Sequence, residues 1–192
     1  MANIDDFKSN LLGGGARANQ FEVIITAPLI SIGPFFSNRT SFMVRSASLP
    51  GMTLGEIAVP FRGRSIYIAG DRTFDEVWTT TFLNDTDFMI RNAMERWSNG
   101  INDLVNGKGV TNPSLYQTTL TVKQVDRGSD IPAAKALKTY EFINAWPTSI
   151  SAIELSTETA DAIEEFDVTW RYQHFIPSDV ARVTTTPAGP NI

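Results

Sequence analysis

Residues 163–176, IEEFDVTWRYQHFI, decide the fold class. Phe166, Val168, Trp170 and Tyr172 fall on one side of an extended chain, and Glu165, Asp167, Thr169, Arg171 and Gln173 fall on the other. A period of two marks a strand with one face on a core and the other in water, as antiparallel sheets have. Two further runs repeat it. Residues 115–126 set Tyr116, Thr118, Leu120 and Val122 against Gln117, Thr119, Thr121 and Lys123, and residues 138–146 set Tyr140, Phe142 and Trp146 against Thr139, Glu141 and Ile143. Strands are also expected at 20–27, 38–47, 64–69 and 75–83, with 153–156 pairing onto 163 and beyond. A weaker extended run covers 52–60, and Pro60 limits it to an edge or a projecting hairpin, because proline cannot donate to a ladder. The expected fold is mainly β: an antiparallel barrel or sandwich.

The period changes in two places. Ile90, Ala93, Met94, Trp97 and Ile101 recur at helical spacing, which predicts one central α-helix. Asp85 or Thr86 stands where a cap belongs, and Asp87 and Arg91 lie one turn apart. Ile4, Phe7, Leu11 and Leu12 predict a short N-terminal helix that ends at Gly13-Gly14-Gly15, a flexible joint. The chain thus divides into a helix and joint at 1–15, a β domain at 16–176 and a proline-containing arm at 177–192.

Composition excludes several functions. The 192 residues carry a formal net charge of −5, unfavourable for gripping nucleic acid, which needs Lys and Arg on one face. No run of about 18 apolar residues occurs, and the start lacks a basic segment followed by an apolar one, so neither a membrane helix nor a secretory leader is expected. There are no cysteines. The sole histidine, His174, follows Trp170 and Tyr172 on the same side of its strand and reads as a core or interface residue. No Gly-x-Ser-x-Gly elbow is present, and the acids Glu154, Glu158, Asp161, Glu164 and Glu165 lack the Asp-x-Asp-x-Asp-Gly order of a calcium loop. No catalytic residue, metal or cofactor is expected. Gly70-Asp71-Arg72 reads as a tight turn, with Arg72 and Asp75 as candidates for structural ion pairs.

A family resemblance rests on particular residues. Leu49-Pro50-Gly51, an extended hairpin, the run Arg64-x-x-Tyr67-x-Ala69-Gly70-Asp71-Arg72-Thr73-Phe74-Asp75, and Asn84-Asp85 before a helix closely resemble the tail tube protein of T-even-type contractile-tailed bacteriophages. Asn144-x-Trp146-Pro147-Thr148 and Phe166–Tyr172 fit the same family, and the resemblance covers about residues 15–175. It implies a β-barrel subunit of a virion tail, made in the host cytoplasm, that closes into hexameric rings stacked as a hollow tube through which the genome passes. It implies as partners other copies of itself, the tail sheath protein, a tape-measure protein, the baseplate hub and a tail terminator. DNA would transit without specific binding, and no membrane contact is expected. Met52, Leu54, Glu56, Ile57, Val59 and Phe61 would form a hairpin docking on the next ring, and Asp71, Arg72 and Asp75 would order a corner at a subunit boundary. The candidates for the channel wall are Gln117, Thr119 and Thr121 or Glu165, Asp167 and Thr169, and an outer surface facing solvent beneath the sheath is the competing reading for either set. Two alternatives stand beside this reading: the same fold in a DNA-free injection or secretion tube that delivers protein, and a monomeric carbohydrate-binding β-sandwich.

Overall fold

The 163–176 pattern folds as two strands, and the break between them organises the molecule. The computed structural model describes residues 3–11, 15–33, 37–73, 77–126, 136–158 and 160–178. In chain order the elements are α1 (Ile4–Asn10), β1 (Phe21–Ile25), α2 (Ser37–Phe42), β2 (Val44–Ala47), β3 (Thr53–Phe61), β4 (Arg64–Thr73), β5 (Val77–Leu83), α3 (Met89–Ile101), α4 (Pro113–Tyr116), β6 (Thr118–Val125), β7 (Ala136–Ile150), β8 (Glu165–Arg171) and β9 (His174–Pro177). All strand pairs are antiparallel. β3 and β4 form a separate ribbon, and the other strands run in the order β1-β6-β7-β8-β5-β2, with β9 also on β7. The mainly antiparallel β architecture is therefore as the alternation predicts.

β7 belongs to two layers. Its first part pairs with β6 on one side and β9 on the other, and its last residues, from Trp146 to Ile150, pair with β8. The partners change at Asn144, whose φ is +56°, a left-handed conformation that asparagine tolerates better than most residues. Here β7 advances three residues, Phe142 to Ala145, while β6 advances two, Leu120 to Thr118. The extra residue is a bulge, and bulges bend strands. Asn144 Nδ2 donates to Gln173 Oε1 at 2.8 Å, and the Gln173 N–H donates to the Ile143 carbonyl at 3.1 Å. The bend in β7 and the gap between β8 and β9 are thus tied together. A second irregularity between Pro147 and Ser149 accommodates a buried proline that has no N–H to give.

The two layers face each other across one core. β1, β6 and β7 contribute Val23, Ile25, Leu120, Val122, Phe142 and Ala145; β5 and β8 contribute Trp78, Phe82, Phe166, Val168 and Trp170; α3 adds Ile90, Ala93, Met94 and Trp97. Phe142 stacks on Trp78 at 4.5 Å between ring centroids, and Trp97 meets Trp170 edge-on at 5.6 Å. Each large apolar side chain fully buried here contributes about 1.5–3 kcal/mol. Three indole N–H groups find acceptors: Trp170 on the hydroxyl of buried Thr80, Trp97 on the Tyr116 carbonyl and Trp78 on the Ser48 carbonyl, at 2.8, 2.9 and 2.8 Å. Without them, burying the indoles would leave unpaired donors.

Several local expectations are corrected. Residues 38–47 are not one strand: the helical turn α2 precedes β2, whose four residues alone pair with β5. α3 starts at Met89 after Phe88 in a left-handed conformation, and neither Asp85 nor Thr86 caps it. Asp85 is occupied by Arg39, which also takes Asp87 at 2.6 Å, while Arg91 pairs with Glu95 at 2.9 Å. The expected Asp87–Arg91 pair is therefore absent, because a cation from another element outcompetes the one a turn away. Residues 113–116 are the turn α4, with Asn112 accepting from the Ser114 N–H at 3.1 Å and Pro113 in the first turn, so β6 begins only at Thr118. Residues 153–156 do not form a strand; pairing there ends with the Ser151 N–H on the Asp167 carbonyl at 2.9 Å. The break at 172–173 also resets the alternation: Phe175 is buried and His174 is not, so His174 does not continue the Trp170–Tyr172 face. Gly13 and Gly14 of the expected joint, and residues 179–192 of the arm, lie outside the described residues.

Candidate assembly interface

The β3–β4 ribbon holds every residue of the expected docking hairpin except Met52, which immediately precedes it. Its pairing is Ile57 with Ile68, Val59 with Ile66 and Phe61 with Arg64. Residues directly opposite share a face, so Ile57, Val59, Phe61, Ile66 and Ile68 form one largely apolar side, with Arg64 on it at the tip. Glu56 lies on the other side with Ala58, Tyr67 and Ala69. All of these side chains are exposed. A two-stranded ribbon is at best marginal alone in water, and a contiguous exposed apolar face marks a contact surface.

The ribbon's stem explains Gly70-Asp71-Arg72. These residues are strand, not turn: β4 runs to Thr73. Between the Leu54–Arg72 and Glu56–Ala69 pairs β4 advances three residues against two on β3, so the glycine and aspartate sit in a bulge. The backbones close tightly there. A Cβ on Gly70 would lie 3.1 Å from the Gly55 carbonyl carbon, and one on Gly55 would lie 3.2 Å from the Asp71 carbonyl oxygen. Glycine in a strand commonly marks such an approach. Arg72 and Asp71 are exposed, and Arg72 Nη1 lies 3.2 Å from the Met52 sulfur; neither makes an ion pair among the described residues. Asp75 lies outside the described residues. At the far end, Arg62 and Gly63 both have positive φ, +46° and +81°, the two-residue turn whose twist matches a hairpin.

The two candidate channel faces belong to different layers. Thr119 and Thr121 lie on the outer face of β6, beside Glu22, Lys123 and Glu141, while Gln117 stands before the strand as the C-cap of α4. That face also carries Ile24 and Ile143. Glu165, Asp167 and Thr169 lie on the outer face of β8, paired with Leu83, Thr81 and Thr79 of β5. There Ser46 donates to the Thr81 hydroxyl at 2.9 Å, and Thr81 donates to Asp167 Oδ1 at 2.6 Å. Arg45 pairs with Glu165. Threonine, serine and carboxylate side chains held this way make a short-chained polar surface.

Behind these surfaces, Arg39 clamps α2 to the turn before α3. Its hydrogen bonds to Asp85 and then Asp87 raise the guanidinium pKa, and Arg39 followed by the Thr86 N–H holds the Asp85 carboxyl below its usual range. Among the described residues no group of three or more His, Cys, Asp or Glu is placed to hold a metal. Sequence reasoning missed Arg39, because its two carboxylates are 46 and 48 residues away and no local pattern announces them.

Residues 16–178 match the family described as "Phage tail tube protein". The chain is 30% identical over 161 residues to the tail tube protein of Enterobacteria phage T4, covering 82% of this chain and 88% of that one. It is 27% identical over 174 residues to the tail tube protein of Serratia phage KSP90, covering 90% and 95%. Among solved structures, a chain in the 6-fold symmetrised anti-feeding prophage baseplate shares the fold with a TM-score of 0.57 at 12% identity, covering 85% and 95%. A chain in the sheath/tube terminator of an extracellular contractile injection system does so with 0.56 at 15%, covering 85% and 96%. With the family match over residues 16–178 and 30% identity across most of both chains, the chain belongs to the phage tail tube protein family, a family of structural subunits and not of enzymes.

Proposed function

We propose that copies of this chain close into six-membered rings, and that the rings stack into the inner tube of a contractile phage tail through which the genome leaves. The observation that carries this is the β3–β4 ribbon, an apolar face held in water by a single subunit and satisfied only by another. Three strands support ring closure: among the described residues β1, β2 and β9 each pair on one side only, and sharing these edges between subunits removes an aggregation hazard. The outer face of β5 and β8, with Thr79, Thr81, Glu165, Asp167 and Thr169, is the face we assign to the channel, because its middle is polar and its apolar residues, Val77 and Leu83, stand only at the two ends of β5, whereas the outer face of β1, β6 and β7 carries Ile24 and Ile143 among its central residues. Asp71 and Arg72, exposed at the ribbon's stem, serve at a subunit boundary.

Charge fits a conduit. Six copies at −5 give −30 per ring, and a wall that is not basic does not retain phosphates during passage. The sheath outside, a tape-measure protein inside during assembly, and a baseplate hub and terminator at the ends are the partners this reading entails, with assembly in the host cytoplasm. Size-exclusion chromatography and negative-stain microscopy of the purified chain test it: stacked rings with a central channel are expected, and a stable monomer within purified native particles contradicts it.

A further inference from the structure

We propose that the cationic tip of the β3–β4 ribbon of one copy seats in the cleft between residues 151–156 and 162–167 of a copy in the next layer. This rests on the stacking reading and names the site that receives the ribbon. The cleft encloses about 610 Å³ and arises because pairing between β7 and β8 stops at Ser151, after which the chain leaves the sheet and returns as β8 at Glu165. Its lining is mixed. Leu155 and Ile163 stand 78% and 67% exposed, beside the carboxylates of Glu154, Glu164, Glu165 and Asp167; the last two also belong to the face assigned to the channel, so the seat adjoins that wall and the seated tip covers its Glu165 end. Glu165 has Arg45, but Glu154, Glu164 and Asp167 have no ion-pair partner among the described residues.

The ribbon tip has the complementary composition. Phe61-Arg62-Gly63-Arg64 presents an exposed ring with the Arg62 guanidinium 5.4 Å from its centroid, and neither Arg62 nor Arg64 makes an ion pair among the described residues. An aromatic ring and two guanidiniums thus face a cleft of apolar side chains and carboxylates, and complementary charge fixes register and rejects wrong pairings. Position in the fold supports the same match. The ribbon leaves the barrel at the Val77 end of β5, where the Trp78 indole holds the Ser48 carbonyl. The cleft opens at the Leu83 end, where Leu83 pairs with Glu165. The two surfaces are separated by the length of β5, about 20 Å, and lie at opposite ends of one layer. Different patches at opposite ends make a head-to-tail contact, which repeats without closing.

A charge swap tests the match. Arg62→Glu and Glu154→Arg are both exposed positions, so each single variant is expected to melt like the wild-type chain while its critical concentration for stacking rises about tenfold. The double variant restores the pair and is expected to stack within a few-fold of wild type. Stacking of Arg62→Glu at the wild-type concentration, or a double variant no better than either single one, overturns the assignment. Because the chain has no cysteine, the pair Ser65→Cys and Ser156→Cys gives an independent readout: oxidised stacks should yield a disulfide-linked ladder that neither single variant gives, and stacks without a ladder count against the seat. If the unaltered chain forms rings that never stack, the stacking reading fails as well, a result separable from the variants.

Discussion

Replacing Ile57 and Ile68 together with threonine separates assembly from folding. The two side chains are direct cross-strand neighbours on the apolar side of the ribbon, and each is 54% exposed in the single subunit. Full burial of an isoleucine contributes about 1.5–3 kcal/mol. With about half of each side chain still to be covered, docking gains on the order of 1 kcal/mol from each, and threonine forfeits most of it while keeping the β-branched shape that suits a strand. The pair therefore costs assembly about 2 kcal/mol, which is roughly a thirtyfold rise in critical concentration. Folding should hardly notice, because exposed substitutions away from special features change stability by about 0.5 kcal/mol or less. Sedimentation against protein concentration reads the first quantity, and thermal unfolding of the soluble subunit reads the second. The reasoning is refuted if the sedimentation threshold stays put, or if the subunit loses about 2 kcal/mol of its own stability, since either result means that the ribbon's apolar side is not reserved for another copy.

Three other outcomes are expected. Thr80→Val leaves the buried Trp170 N–H without an acceptor and should destabilise the subunit by about 1–3 kcal/mol in chemical denaturation; a change under about 0.5 kcal/mol would show that the bond at 2.8 Å contributes little. Gly70→Ala places a methyl against the Gly55 backbone, so the ribbon must bend at its stem, and negative-stain images should show fewer stacks while subunit unfolding stays near wild type; unchanged stack lengths would mean that the bulge tolerates the methyl. Asp85 carries a carboxyl whose pKa is lowered in the fold chiefly by Arg39, so its stabilising contribution is present above the unfolded value of about 3.9 and is lost as the pH falls through the lower folded value. Asp85→Asn should therefore flatten the fall in melting temperature between about pH 5 and 2, and parallel curves for the two proteins would remove the clamp from the acid response.

The strands that carry two unlike faces were legible because burial imposes a period of two: Leu120 and Val122, Phe166, Val168 and Trp170 all point inward as their spacing requires. α3 was legible for the same reason at a period of 3.6, and Ile90, Ala93, Met94 and Trp97 are its buried residues. What was not legible depends on contacts distant in sequence. The apolar–polar pattern runs through Tyr172, Gln173 and His174 without a sign that Ile143 and Asn144 will interrupt the strand there. The helix N-terminus was misplaced because Asp85 and Thr86 are good caps locally, and only Arg39 in the folded chain draws Asp85 away. Of the proposed assembly surfaces, the ribbon could be read because Pro60 confines the 52–60 run to an edge or a projecting hairpin and the family resemblance supplies the hairpin. Its two unequal faces needed the register, and the cleft opposite needed the point at which β7 and β8 part.

The bend at Asn144 has a mechanical consequence. Because β7 is one unbroken backbone shared by both layers, a pull on either layer is passed to the other along covalent bonds and not only through the greasy contact between them. Sliding the layers past each other would require the ladders on both halves of that strand to fail. A wall unit built this way has no soft seam between its inner and outer skins, and it transmits a thrust along its length with little internal give.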